Sequence, residues 1–184
     1  MVASAMMKNL FAPWRRELIE QPQPAGCLFC RVQSLPWDDS SLVVFSGPLA
    51  LVMLNRYPYN AGHVMVAPLA HVDSLEMLDD RSLLALFELV TRATSALTAL
   101  VHPDGFNVGM NLGSVAGAGI PGHLHVHVVP RWAGDTNFMP VLGATKVINE
   151  HLSETRQRLE QAFRDLGSGA PPPASPSPPP APPR

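Results

Sequence analysis

His123, His125 and His127 occupy alternate positions in the run His123-Leu-His-Val-His127-Val-Val, the spacing that puts three side chains on one face of a strand. Neighbouring imidazoles on such a face lie about 6.5 Å apart and the outer two about 13 Å apart. A metal with bonds of about 2 Å can take two of them, but three in a row cannot converge on one ion without breaking the strand. Their work must therefore be divided. An imidazole with a pKa of about 6.5 is an unprotonated nucleophile for much of the time at neutral pH, and beside a held phosphate it can attack phosphorus covalently. The plain alternative, three histidines on a solvated face, fits poorly with Leu124, Val126, Val128 and Val129, which imply a buried sheet where imidazoles need partners.

Two further groups have chemical potential. The segment ahead of the histidines carries Gly113, Gly117, Gly119 and Gly122, which can turn successive backbone N–H groups toward an anion. No Gly-Lys-Ser/Thr follows, so this is not a Walker loop. The only two cysteines, Cys27 and Cys30, form a Cys-x-x-Cys pair that in a reducing compartment indicates metal or redox work more than a structural disulfide. Leu28 and Phe29 between them, and the lack of a βαβ pattern, disfavour thioredoxin chemistry; a buried thiol pair without metal is the bland alternative.

These residues need a scaffold. Leu42 to Phe45 and Leu49 to Leu54 read as two strands joined at Gly47-Pro48, and 63–68 as a third after the turn 56–62. From Asp80 the period changes: Leu83, Leu86, Phe87, Val90, Leu97 and Val101 recur at helical spacing, with Asp79 and Asp80 to cap the start and Pro103 to stop the run. Strands at 106–111 and 124–130 flank the glycine-rich segment, and a second helix is expected over about 148–166. The connections are mostly short and strands dominate, so an α+β fold is expected, an antiparallel sheet with one long and one C-terminal helix.

The chain has 184 residues, about one domain's worth, with 13 basic and 15 acidic side chains and a net charge of −2. No long block of either sign is present, so neither nucleic acid nor an anionic membrane is the expected partner. Residues 42–54 are too short an apolar stretch to span a bilayer, and Lys8, Arg15, Arg16 and Glu17 interrupt the N-terminus, so no signal peptide or anchor is expected and the chain is placed in the cytoplasm. Nine of the 20 prolines lie between Pro171 and Pro183. The expected layout is an N-terminal extension over 1–26, a catalytic domain over 27–166 and a disordered proline-rich tail over 167–184, which lacks the apolar side chains to offset ordering.

The run at His123–His127 resembles the signature of the histidine-triad (HIT) family, and Leu54-Asn-Arg-Tyr-Pro58 followed by Gly62-His63-Val-Met-Val is similar to that family's nucleoside-binding strands. With Cys27-Leu-Phe-Cys30, Gly105-Phe-Asn-Val-Gly109, Asn111-Leu-Gly113 and Pro130-Arg-Trp-Ala-Gly-Asp135, the resemblance is closest to bacterial members with Cys-x-x-Cys and to diadenosine tetraphosphate phosphorylases. It implies a HIT-like fold, usually a homodimer, in which His125 attacks the α-phosphorus of a nucleotide to form a covalent nucleotidyl-imidazole. Water or phosphate then takes the nucleotide, and His127 bonds the α-phosphate or moves a proton at the leaving group.

The same resemblance implies that Asn55 contacts ribose, that Asn111 lies beside the α-phosphate or leaving group, that His63 orients the triad and that Trp132 lines the substrate site. Gly117 and Gly119 belong to the phosphate-holding loop, where Gly119-Ile-Pro-Gly122 replaces the hydroxyl or amide side chains of many members, so that backbone must do the holding. Cys27, Cys30, His71 and His123 match a structural zinc set, and no cofactor is implied for the covalent step. The expected activity is cleavage of diadenosine tetraphosphate or related nucleoside polyphosphates, leaning to phosphorolysis. The alternatives are a hydrolase that releases AMP, and a purine-nucleotide binding or sensing protein with little turnover.

Overall fold

Period-two and period-3.6 apolar patterns set out the elements in order. The computed structural model describes residues 26–38, 41–120, 122–135 and 150–168; the expected extension before residue 26 and the tail from residue 169 lie outside them. A short helix α1 (Leu28–Gln33) precedes strands β1 (Val43–Ser46), β2 (Ala50–Leu54) and β3 (Val64–Pro68). The long helix α2 (Asp80–Val101), strands β4 (Gly105–Gly109) and β5 (Val126–Arg131) and helix α3 (Leu152–Ser168) follow. The sheet order is β1-β2-β3-β5-β4, with every neighbouring pair antiparallel. This is the expected α+β architecture.

β2 and β3 are unbroken apolar runs and are buried along their whole length, as strands covered on both faces must be. Helix α2 packs against β2, β3 and β5 through Leu86, Leu89, Val90, Ala93, Ala96 and Leu97. Asp79 Oδ1 accepts the Ser82 N–H at 2.7 Å to cap its start, and His102 ends it in the left-handed region at φ 46° just before Pro103. Phe87, expected on the buried stripe, is 42% exposed; with Leu84 three residues earlier it forms a second, outward apolar row. By length and composition α2 alone among the described helices could cross a membrane. Here one of its faces lies against the sheet. Helix α3 packs on α2 and β1, where Phe45 stacks on Phe163 at 5.3 Å and the Arg92 guanidinium lies 4.4 Å from the Phe45 ring centroid.

Two boundaries differ from the sequence expectation in ways that shape the site. β5 begins at Val126 rather than Leu124, because the β3–β5 ladder extends only from Val64↔Val128 to Val66↔Val126. β3 ends at Pro68, which has no N–H to offer, and Leu124 N–H turns instead to Val72 O at 2.6 Å. His123 and His125 thus precede the ladder, and the regular alternation assumed for all three histidines holds only from Val126 on. β4 ends at Gly109, two residues short, which leaves Asn111 on a loop. Helix α3 runs through Gly167 and Ser168, past the expected boundary at Leu166.

The turn into β3 depends on Gly62, at φ +75°, where an added Cβ would lie 3.0 Å from Leu97 Cδ2 and 3.4 Å from Pro130 Cγ. Leu97 is fully buried and has little freedom to retreat. Gly62→Ala is therefore expected to destabilise the fold by about 1–3 kcal/mol in urea unfolding. Wild-type stability would show that neither backbone strain nor crowding matters there.

Candidate active site and metal centre

Four ligand atoms from three separated segments meet between α1, the loop after β3 and the start of the histidine run. His123 Nδ1 lies 3.2 Å from Cys27 Sγ, 3.7 Å from Cys30 Sγ and 3.3 Å from His71 Nδ1, and Cys30 Sγ is 3.3 Å from His71 Nδ1. All four atoms lie within 4.8 Å of one another. A tetrahedral ion with bonds of about 2.0 Å to nitrogen and about 2.3 Å to sulfur separates its ligands by roughly 3.3–3.7 Å, so the set has the spacing that a metal needs. Its protonation fits as well. His123 Nε2 is 2.9 Å from Pro68 O, and a carbonyl only accepts, so the proton sits on Nε2 and the lone pair on Nδ1 faces the thiols. Burial, then the neighbouring Cys27 thiol, pushes the Cys30 thiol up, a cost that a bound cation reverses. These four residues can hold a metal ion.

The same logic fixes the remaining ring nitrogens. His125 Nδ1 is 2.8 Å from His123 O; it must donate, which leaves the lone pair on Nε2. Tyr59 N–H donates to His63 Nδ1 at 3.0 Å, so neutral His63 carries its proton on Nε2, which faces His127 Nδ1 at 3.0 Å. His127 Nδ1 then accepts, and the proton of neutral His127 is on Nε2. The rings of His125 and His127 meet edge to face with centroids 4.9 Å apart. His63 is fully buried. Burial first, then His127 and His125, lowers its pKa from 6.5 to about 3, and burial also lowers those of His125 and His123. The neutral forms that these bonds require are the forms that the environment favours.

A cavity of about 510 Å³ opens beside His127 and is lined also by Tyr59, Asn60, Asn107, Asn111 and Arg131. Asn111 Nδ2 donates to Gly117 O at 3.3 Å and ties the two sides of the glycine-rich loop, in which Gly113 and Gly117 adopt φ of +81° and +84°. Ala116 lines the cavity, whereas Gly117 and Gly119 do not. His125 does not line the cavity and is only 4% exposed. Asn55 is not among the residues that line the cavity: its Oδ1 accepts Tyr57 N–H at 2.9 Å, a local turn bond, and its Nδ2 lies 3.5 Å from His63 Nδ1. Trp132 is also off the cavity. Its Nε1 donates to Val101 O and His102 O at 3.2 Å each and satisfies carbonyls at the end of α2.

Sequence reasoning missed the polar rim. Arg131 Nε and Nη2 bind Asp135 at 2.5 and 3.0 Å, its Nη1 binds Asn107 Oδ1 at 2.7 Å, and Asn60 Nδ2 reaches Asp135 Oδ2 at 2.7 Å. The Arg131 hydrogen bonds hold the Asp135 carboxyl far below the usual carboxylate range. Arg131 follows His127 by four positions on β5, so strand alternation would have placed it on the histidine face.

The HIT domain profile matches residues 38–134. The AP-4-A phosphorylase of Mycobacterium tuberculosis is 43% identical over 148 residues, which cover 80% of this chain and 75% of that protein. The asymmetrical bis(5'-nucleosyl)-tetraphosphatase of Schizosaccharomyces pombe is 32% identical over 95 residues, 52% of each chain. Among solved structures, a Zn-bound histidine triad family protein from Mycobacterium smegmatis superposes with a TM-score of 0.62 at 24% identity, covering 78% of this chain and 96% of that one. This last likeness establishes the fold.

The depressed pKa of His63 has a stability consequence. Between pH 6.5 and about 3 the unfolded chain binds a proton at this residue that the folded chain refuses. Its contribution is therefore fully present above pH 6.5 and is lost as pH falls toward 3, at up to about 1.4 kcal/mol per pH unit. His63→Gln keeps a donor and removes the titration. Urea unfolding of both proteins from pH 7 to pH 4 is expected to show a wild-type stability that falls more steeply with acid, by up to one proton's worth of slope; parallel curves would contradict the buried neutral state.

Proposed function

The chain belongs to the HIT domain family and is an enzyme of nucleotidyl transfer or hydrolysis, and from that premise we propose that it cleaves diadenosine tetraphosphate or a related nucleoside polyphosphate through His125. The observation that carries the reading is the bond from His125 Nδ1–H to His123 O, which commits the lone pair to Nε2. That lone pair attacks the α-phosphorus. A P–N bond forms, the P–O bond to the leaving polyphosphate breaks, and the leaving oxygen keeps the electron pair. His127, whose Nδ1 accepts from His63 Nε2–H, keeps its own proton and uses Nε2–H to hydrogen-bond the phosphate oxygens, stabilising the charge that gathers on the leaving oxygen.

An acceptor then attacks the phosphorus and returns the electron pair to His125 Nε2. We assign phosphate as the acceptor, which makes the products of diadenosine tetraphosphate ATP and ADP. The support is the 43% identity to a protein called AP-4-A phosphorylase and the loop Gly113–Gly122, whose backbone can hold an anion. Water as acceptor is the second reading, favoured by the absence of a side-chain hydroxyl at Gly119. Asn111 on the cavity is assigned to the leaving group or α-phosphate. Asn55 supports the His63–His127 pair in addition to its proposed ribose contact, and Trp132 acts on the site by holding the start of the loop after β5.

Zinc is the metal we assign to Cys27, Cys30, His71 and His123. When bound it supplies a structural clamp with all four positions filled by protein. Thiolate ligands need a reducing compartment, in keeping with a cytoplasmic location. The exposed edge strand β4, with Val108 48% exposed, is the surface we assign to a homodimer.

His125→Asn is expected to bind nucleotide with unchanged affinity and to retain less than a few per cent of turnover. His127→Asn should lose about 10²- to 10³-fold. With radiolabelled phosphate, label should enter ADP; unlabelled AMP and ATP as sole products would make the chain a hydrolase. Purified protein should carry about one zinc per chain, and Cys27→Ser should lower both metal content and melting temperature. Metal-free protein of unchanged stability would reject the zinc site.

A further inference from the structure

Phe29 lies between the two cysteines of the metal cluster, in the first turn of α1, and no part of it is exposed. Its ring touches two histidines with different roles. The centroid is 4.9 Å from that of His123, a metal ligand, and 5.2 Å from that of His125, with interplanar angles of 44° and 39°. The backbone of α1 is itself pinned, since Arg31 N–H bonds Cys27 O at 3.0 Å and Val32, one turn after Phe29, is 2% exposed.

An imidazole held by one hydrogen bond can still pivot about it. The bond from Nδ1–H to His123 O prevents a ring flip, because the flipped ring would offer a C–H to the carbonyl. It does not prevent a swing of the ring that carries Nε2 sideways. A flat, buried neighbour packed on the imidazole does. We propose that Phe29 is a positioning residue for nucleotidyl transfer: fixed between Cys27 and Cys30, its ring backs the His125 imidazole and holds Nε2 in its attacking orientation. The metal centre then acts on the reaction by two routes, through the His123 main chain and through the Phe29 ring. The proposal rests on His125 being the nucleophile.

The test uses the full, zinc-loaded chain with Phe29→Leu and Phe29→Met, which fill much of the volume without a flat ring. Both should keep their metal and a KM for diadenosine tetraphosphate within about twofold of wild type. The kcat should fall at least about tenfold, since misplacing a reacting group by about 1 Å can cost about 10²-fold. In nitrogen-15 NMR spectra the Nδ1–H resonance of His125 should be sharp in the wild type and broadened in the variants, a signature that loss of packing elsewhere would not give. Wild-type kcat in a variant that retains zinc overturns the proposal. Parallel loss of zinc, KM and kcat in both variants also overturns it, because Phe29 is then a core residue only. His125→Asn measured alongside separates the two claims: if it turns over, the nucleophile assignment fails, whereas if it is dead and the Phe29 variants are fully active, only the role of Phe29 fails.

Discussion

A neutral imidazole has one N–H and one lone pair, so committing either nitrogen decides what the other can do. In this fold the commitment is made by backbone groups that cannot change role. Pro68 O and His123 O only accept, and Tyr59 N–H only donates. From these bonds, with His63 Nε2–H facing His127 Nδ1, follow a lone pair on His123 Nδ1 that faces the thiols, a lone pair on His125 Nε2 and, in the neutral ring, a proton on His127 Nε2. In the proposed mechanism these three histidines serve as metal ligand, nucleophile and hydrogen-bond donor.

The rest of the structure keeps those bonds in place. β3 ends at Pro68, whose carbonyl accepts from His123 Nε2, and the ladder stops at Val66↔Val126, before His123. Gly62, close against Leu97, makes the turn that leads into buried His63. Burial of His63, His123 and His125 lowers their pKa values and so maintains the neutral forms on which the arrangement depends. Burial is costly for each ring unless it has a partner, and among the described residues no buried side-chain nitrogen or oxygen is left without one.

Much of this was legible in the chain itself. The strands, the capped helix from Asp80 and the sheet class follow from apolar period and turn residues, and the convergence of Cys27, Cys30, His71 and His123 matched an expectation drawn from resemblance. Other features were not legible. Alternation alone put all three histidines on one regular strand; only the hydrogen bonds of Pro68 and Val72 reveal that the first two precede the ladder. Trp132 and Asn55 carry residue types suited to a ligand, yet they satisfy backbone groups at a helix end and in a turn. In the sequence Phe29 only disfavours redox chemistry, since sequence does not show which ring it will meet. Strand alternation places Arg131 on the histidine face, but the reach of Asn60 to Asp135 spans 75 positions and has no local signal.

The central claim is that His125 Nε2 takes the nucleotide, and a rapid-quench single turnover with diadenosine tetraphosphate labelled at the α-phosphorus tests it most directly. Excess enzyme mixed with labelled substrate in the absence of phosphate, quenched and digested, should show an acid-labile adenylyl group on His125 by mass spectrometry. Label on another residue, or turnover with no protein-bound label at any time before product appears, would contradict the account.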